Sequence, residues 1–183
     1  KVLGLIGGKD YSKSQFNRAT KANRQIGSTI KPLLYYLALE NGFSPTTTFL
    51  NEPTTFKLED NTTYSPGNFN DKYAYKEINL AQAIAVSDNI YAVKTHLFLG
   101  KENLASLIKK FGIEDVEANA SLALGTLNTN IYNLANMYNT LASEGVYNHL
   151  YTIEKITNNE GKIIYQHKAQ NKQMLNKDSC LAL

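Results

Sequence analysis

Residues 24–42 read RQIGSTIKPLLYYLALENG and join the end of a polar loop to a strongly apolar segment. Over residues 28–40 the apolar side chains recur at helical spacing, which predicts a helix with one apolar face. They are Leu33, Leu34, Leu37 and Ala38. Ser28 is the natural N-cap of this helix, and Asn41-Gly42 is a typical helix end.

The same stretch contains the best candidate for covalent chemistry, a serine followed three positions later by a lysine. In a helix, Ser28 and Lys31 would lie on one face, one turn apart, so that a neutral amine could take the hydroxyl proton. Burial and the positive end of the helix dipole would both lower the pKa of that amine. The same helix N-terminus would favour the oxyanion that forms during acyl transfer.

The spacing alone is weak evidence, because Ser106-Leu107-Ile108-Lys109 repeats it inside another predicted helix. Ser28 differs because it follows a long polar loop and opens its helix. In addition, Pro32 disfavours helical backbone at Lys31, and such local conflicts are typical of functional places. The spacing taken alone would favour a helix-capping serine beside a surface lysine.

The rest of the chain is predicted to be mostly helical, with one early strand and one late hairpin. Residues 2–6 form an apolar run typical of a short buried strand, whereas residues 43–76, rich in Thr, Pro, Asn and Tyr, predict a long irregular segment. Four further helices are predicted: one from about Ile78, one from near Asn89, one over residues 104–111 and one over residues 131–142. The last of them has Ile131, Leu134 and Tyr138 on its apolar stripe. Residues 151–157 and 162–167 predict a β-hairpin. A lone strand cannot satisfy its backbone groups, so the sheet should have more strands than this chain shows.

Composition excludes several classes of protein. With 183 residues, 43% of them hydrophobic, the chain fits one domain, or one domain with pieces missing, that has a real core. Its net charge of +3 is too small to predict nucleic-acid binding. Cys180 is the single cysteine, which excludes an internal disulfide. His96, His149 and His167 lack metal-ligand spacing, so we predict surface or partly buried imidazoles, no metal and no cofactor.

A second polar cluster, Ser87-Asp88-Asn89, falls at the break between two predicted helices. By itself it is ordinary helix-capping chemistry. The pair of motifs changes the interpretation, because a serine–lysine motif followed by Ser-Asp-Asn belongs to penicillin-binding proteins and class A β-lactamases. There, a second serine and an amide flank the nucleophile.

Further stretches of the chain stand in the order seen in one family. They are Gly7-Gly8-Lys9-Asp10-Tyr11, Phe16-Asn17-Arg18-Ala19, Arg24-Gln25-Ile26-Gly27-Ser28-Thr29-Ile30-Lys31-Pro32, Tyr64-Ser65-Pro66-Gly67-Asn68 and Ala85-Val86-Ser87-Asp88-Asn89. Over essentially its whole length the chain resembles the transpeptidase domain of class A, bifunctional penicillin-binding proteins. The resemblance implies an α+β (mixed α/β) fold of the penicillin-binding-protein/β-lactamase type, with an incomplete sheet and a large helical part.

The resemblance also implies roles and partners. Ser28 would be the acylated nucleophile and Lys31 its base; Ser87 would relay a proton and Asn89 would contact a substrate amide. The substrate would be the D-Ala-D-Ala end of a peptidoglycan stem peptide, and β-lactam antibiotics would acylate the same serine. The parent protein would be anchored in the bacterial cytoplasmic membrane, face outward and carry a glycosyltransferase domain before Lys1. The chain itself has no apolar run of membrane-spanning length, and we expect it to be soluble.

One part of the family pattern is absent. The third motif, Lys-Thr-Gly, would be expected downstream of the hairpin, and Lys94-Thr95 is followed by His96 and cannot replace it. The resemblance therefore implies that residues 1–183 are a partial transpeptidase domain, without the C-terminal strands that carry this motif, in which acylation is impaired.

Two alternatives stay open. The chain could be a non-catalytic fragment or pseudoenzyme that acts as a binding module, or, within the enzyme class, a D,D-carboxypeptidase. A β-lactamase is less favoured, because neither Leu127-Asn128 nor Leu175-Asn176 has the glutamate three residues before its leucine that deacylation requires.

Overall fold

A computed structural model describes the whole chain, from Lys1 to Leu183. The seven α-helices are α1 (Arg18–Lys21), α2 (Lys31–Glu40), α3 (Leu80–Val86), α4 (Asn89–Leu99), α5 (Lys101–Lys110), α6 (Ile131–Ala142) and α7 (Lys177–Ala182). Short 3-10 helices span Gly27–Ile30, Phe69–Asp71 and Ala120–Leu124. None of the helices is both long enough and apolar enough to cross a membrane.

The strands are all short. They are β1 (Arg24–Gln25), β2 (Thr48–Asn51), β3 (Phe56–Lys57), β4 (Thr63–Tyr64), β5 (Lys76–Asn79), β6 (Asn128–Thr129), β7 (Val146–Asn148), β8 (Lys155–Thr157), β9 (Ile163–Gln166) and β10 (Asn171–Gln173). The mixed α/β class is confirmed. The chain divides into two compact units, which we call the central unit (Arg24–Asn128 with Ala182–Leu183) and the terminal unit (Lys1–Asn23 with Thr129–Leu181).

The core of the central unit is built on α2 and α4. Both helices are buried over most of their circumference rather than along one stripe, which is typical of helices at the centre of a core. The fully buried side chains include Ile30, Leu33, Leu34, Ile90 and Val93. Pro32 causes no conflict, because it lies in the first turn of α2, where no backbone N–H is needed, and Lys31 has helical backbone angles.

The prediction that residues 43–76 are irregular was wrong in part. Strands β2 and β5 pair antiparallel, with Thr48 opposite Asn79 and Asn51 opposite Lys76, and β3 pairs with β4 between them. The β-branched and aromatic run Thr46–Leu50 favours a strand, but the many Pro and Asn residues around it obscured that signal. The two-stranded β2–β5 ribbon is important for the site because it ends at Asn51.

The terminal unit contains the predicted hairpin, which is confirmed as β8 and β9 in antiparallel pairing around a turn at Asn158. The strand predicted over residues 2–6 is absent. There, Val2 N donates one backbone hydrogen bond to Tyr151 O, no ladder continues from it, and Leu3 is 92% exposed. An isolated extended segment has no neighbour to satisfy its backbone groups, so it does not form a strand.

Helix α6 has the predicted bounds but a different buried face. Its buried residues are Asn136, Met137 and Thr140, whereas Ile131 and Tyr138, on the predicted apolar stripe, are exposed. The helical period was therefore predicted correctly and the orientation of the helix was not.

Candidate active site

Lys31 is the centre of a compact hydrogen-bonded cluster in the central unit. The side chain is 4% exposed. Its Nζ donates to the backbone oxygen of Ser87 at 2.6 Å, to Ser87 Oγ at 3.1 Å and to Asn89 Oδ1 at 2.8 Å. Three acceptors match the three N–H bonds of an ammonium group, so every donor of Lys31 is used.

Ser87 reaches Lys31 because the chain turns sharply between α3 and α4. It caps α3 with left-handed backbone, at φ 53°, and its N–H donates to Ile84 O. This conformation is uncommon for a residue with a Cβ, and it directs the next residue, Asp88, to the N-cap of α4. The break predicted at Ser87-Asp88-Asn89 is confirmed.

Asn89 begins α4 with both ends of its amide bonded. Oδ1 accepts from Lys31, and Nδ2 donates to Gly67 O at 2.7 Å. These two bonds fix the orientation of the amide and leave one N–H of Nδ2 for a further acceptor. A substrate carbonyl is such an acceptor.

Asp88 organises the back of the cluster, and the sequence analysis assigned it no role. The carboxylate is buried; Oδ1 accepts from Tyr91 N at 2.7 Å, and Oδ2 accepts from Asn51 Nδ2 at 2.5 Å and Asn68 Nδ2 at 2.6 Å. Asn68 stood in a stretch that supported the resemblance, whereas no local motif marks Asn51. A contact between an amide and a carboxylate that are far apart in the sequence produces no recognisable motif, so the sequence analysis did not find these partners of Asp88.

Ser28 lies in the 3-10 helix Gly27–Ile30, and its side chain is exposed. The prediction that it is the N-cap was wrong, because α2 begins at Lys31, has Ile30 at its N-cap position and has no side-chain cap. Ser28 is instead joined to the helix through its carbonyl oxygen, which accepts the Lys31 N–H. Neither its hydroxyl nor its N–H takes part in a hydrogen bond within the chain.

Two glycines fix the loop that leads into Ser28. Gly27 N donates to Gly125 O at 3.1 Å, and both residues have positive φ, 57° and 75°. A Cβ on Gly125 would lie 1.9 Å from Gly27 O, so only glycine permits this approach. Gly125 follows the 3-10 helix Ala120–Leu124, and this contact sets the position of the residue before Ser28.

The environment of Lys31 favours loss of its proton. Burial lowers the pKa of Lys31 from its ordinary 10.5 to about 8, and the nearby negative charge of Asp88 partly opposes that shift. A lysine amine with a pKa near neutrality can act as a base, since an appreciable neutral fraction exists at physiological pH. The lysine of the second serine–lysine pair, Lys109, is exposed in α5.

One histidine departs from its prediction. His96 is fully buried in α4, where Nε2 lies 3.0 Å from Asn119 O, and burial lowers its pKa. Its burial in the core of the central unit indicates a packing role.

Comparison with known proteins identifies the family of the chain. The family described as penicillin binding protein transpeptidase domain matches residues 1–180. The chain is 48% identical over 176 residues to penicillin-binding protein 2D of Bacillus subtilis, covering 95% of this chain and 26% of that protein. It thus spans about a quarter of the length of this relative.

Solved structures share the fold. Penicillin-binding protein 1A from Haemophilus influenzae superposes with a TM-score of 0.83 at 29% identity, over 93% of this chain and 25% of that one. Penicillin-binding protein A from Mycobacterium tuberculosis, in an imipenem acyl-enzyme complex, has a TM-score of 0.79 at 18% identity over 96% of this chain and 45% of that one, which shows the fold alone. From the family match over nearly the whole sequence, the chain belongs to the transpeptidase domain family of penicillin-binding proteins.

Proposed function

We propose that the chain carries the nucleophile and proton-transfer half of a D,D-transpeptidase site. Ser28 is the nucleophile, Lys31 its base, Ser87 the proton relay and Asn89 the contact to a substrate amide. The observation that supports this best is the convergence on Lys31 Nζ of Ser87 and Asn89, which are 56 and 58 positions away in the sequence. A surface lysine beside a helix-capping serine would not be expected to form buried hydrogen bonds with two residues so distant in sequence.

In this proposal, acylation proceeds in two steps. Neutral Lys31 takes the proton of Ser28 Oγ while Oγ bonds to the carbonyl carbon of the penultimate D-Ala of a stem peptide. The C–N bond then breaks, and the nitrogen of the terminal D-Ala receives the proton from Lys31 through Ser87 Oγ. An acyl ester remains on Ser28, and free D-Ala leaves.

The second half of the reaction reverses these steps with a new amine. An amine from a neighbouring stem peptide attacks the ester and gives up a proton to Lys31 through Ser87 Oγ, so that a new amide forms; Lys31 then returns this proton to Ser28 Oγ as the ester bond breaks. A β-lactam enters the same path, but ring opening leaves its nitrogen attached, so the whole mass of the drug stays on Ser28.

The missing Lys-Thr-Gly motif affects the proposed rate of acylation rather than the proposed type of reaction. The chain contains no such sequence. In the resemblance, that lysine receives the carboxylate of substrate or β-lactam, so we propose that residues 1–183 are a partial domain that acylates slowly. Membrane anchoring at the outer face of the cytoplasmic membrane and a glycosyltransferase domain in the parent likewise belong to this proposal.

Intact-mass spectrometry after incubation with benzylpenicillin tests the proposal. We expect a slowly forming adduct of the full drug mass on the chain and none on Ser28→Ala. Ser106→Ala is the matched control, because it removes the serine of the second serine–lysine pair, which is exposed in α5, and should still form the adduct. A folded chain that forms no adduct, or an adduct that persists in Ser28→Ala, would overturn the assignment and support the non-catalytic binding module.

A further inference from the structure

We propose that Asn68 is the positioning residue of the Ser87–Asn89 loop, because its side-chain amide ties the loop to the chain segment beside it. This inference deepens the proposed function and rests on it, since positioning matters only if Lys31, Ser87 and Asn89 act together. Asn68 contacts Asn89 at its backbone N–H and not at the side-chain amide that would meet substrate. It acts through the backbone and side chains of its neighbours.

One side of the loop borders a cavity that is open to solvent. The cavity has a volume of about 410 Å³, and its lining includes Ser87, Asp88, Val86, Ala74 and Phe69. Ser28, Lys31 and Asn89 do not line it. A segment that borders open space can move into it without displacing neighbours, so hydrogen bonds are important in defining the position of the loop.

Asn68 supplies those hydrogen bonds with both ends of its amide. Oδ1 accepts from Asn89 N at 2.8 Å and Ile90 N at 3.3 Å, which satisfies two N–H groups at the start of α4. Nδ2 donates to Asp88 Oδ2 at 2.6 Å and Lys72 O at 3.0 Å. The side chain is 9% exposed, so these bonds compete little with water.

Asn68 differs from the other amide in the network. Asn51 also donates to Asp88, but its Oδ1 accepts from Ala74 N and makes no bond to the backbone of α4. Asn68 therefore joins the Asp88 side chain, the Asn89 backbone and its own loop in one group. Because Ser87 has left-handed backbone at φ 53°, we expect the loop to relax toward the cavity once these bonds are lost.

The experiment compares Asn68→Ala, Asn68→Asp and Asn139→Ala. The last is the control, because Asn139 is an exposed asparagine on α6. Two NMR readouts do not require catalysis: the backbone amide resonance of Asn89 and the pKa of Lys31 from a titration of its Nζ signal. Loss of overall stability alone would not change the pKa of Lys31 in the folded population.

For Asn68→Ala we expect the Asn89 amide resonance to shift and the pKa of Lys31 to rise from about 8 toward 10.5, because water reaches the amine when the loop moves. Acylation by benzylpenicillin should fall about tenfold or more. In Asn68→Asp the carboxylate faces Asp88, and protonation between about pH 8 and pH 5 should restore the Asn89 resonance, since a shared proton replaces the lost donor. The control should change neither readout.

Asn68→Ala with an unchanged Asn89 resonance and a Lys31 pKa still near 8 would overturn the proposal. If Asn68→Ala does not fold, the test is whether acid restores the Asn89 resonance in Asn68→Asp. No recovery at low pH would contradict the positioning role of Asn68. A wild-type chain without a drug adduct refutes the proposed function, while the NMR readouts still report whether Asn68 positions the loop.

Discussion

At the scale of single residues, Lys31 is a buried amine whose hydrogen-bond acceptors are all uncharged oxygens. The carboxylate nearest to it along the loop, Asp88, accepts its hydrogen bonds from two amides and a backbone N–H instead. A direct ion pair would keep the lysine protonated, whereas neutral acceptors hold the amine in place and leave burial to lower its pKa. This is the balance that a general base requires.

The first prediction concerns pH. If Lys31 must be neutral, the rate of acylation by benzylpenicillin should rise about tenfold between pH 7 and pH 9, with its midpoint near the pKa of about 8. Burial lowers the pKa of His96, and Tyr91 has a pKa raised to about 12, so neither changes charge in this window. Rates of adduct formation by quenched-flow mass spectrometry provide the measurement, and a flat profile would exclude Lys31 as the base.

The same group should affect stability. The folded chain releases the Lys31 proton near pH 8, whereas the unfolded chain retains it up to 10.5. Because the unfolded state binds more protons in this window, the contribution of Lys31 to the free energy of unfolding rises with pH there.

At the scale of elements, the start of α2 is defined by contacts from outside the helix. No side chain caps α2, and the residues before it form a 3-10 turn that rests on the Ala120–Gly125 segment through Gly27. The backbone at Ser28, the proposed nucleophile, therefore depends for its path on a glycine about a hundred positions away.

The second prediction tests this contact with Gly125→Ala. The added Cβ would meet Gly27 O, so the two segments must separate and Ser28 must move. We expect a loss of stability of about 2–4 kcal/mol and at least a tenfold loss of acylation rate. Gly112→Ala is the matched control, because φ there is 81° but no atom lies within 4 Å of the new Cβ. Gly112→Ala should lower the free energy of unfolding by only about 1–2 kcal/mol and leave the acylation rate unchanged.

Chemical denaturation and adduct kinetics on both variants provide the measurement. Equal effects in the two variants would show that backbone strain, rather than the Gly27 contact, dominates at Gly125.

At the scale of the whole molecule, burial is distributed unevenly. The central unit contains helices that are buried over most of their circumference, whereas both strands of the β8–β9 hairpin in the terminal unit consist of exposed residues. A two-stranded hairpin without cover is marginally stable in water. Local stability should therefore differ strongly along the chain.

The third prediction compares two large-to-small substitutions. Leu34→Ala, at a side chain with 0% exposure in α2, should lower the free energy of unfolding by about 2–5 kcal/mol. Ile164→Ala, at a side chain 67% exposed in β9, should change it by less than about 0.5 kcal/mol. Denaturation monitored by far-UV circular dichroism measures both. A large effect of Ile164→Ala would mean that the hairpin contributes to cooperative stability.

Several features could be predicted from the sequence because they depend on local chemistry. Helices α4 and α6 begin where a capping Asp or Asn precedes a helical apolar pattern, and the late hairpin follows from its Asn-Asn-Glu-Gly turn. The serine–lysine and Ser-Asp-Asn motifs indicated the family for the same reason, since each is a short run of residues. Residues 2–6 show the limit, because an apolar run becomes a strand only when a neighbour pairs with it.

By itself, then, the sequence determined the α/β class, the approximate positions of the five longest helices and the two short motifs of the candidate site. Only the tertiary structure decided that Lys31 meets Ser87 and Asn89, that Asn51 and Asn68 enclose Asp88, and that α6 buries Asn136 rather than its apolar stripe. The physical reason is that hydrogen bonding, capping and periodicity act over a few residues, whereas contacts between distant residues depend on how whole elements pack.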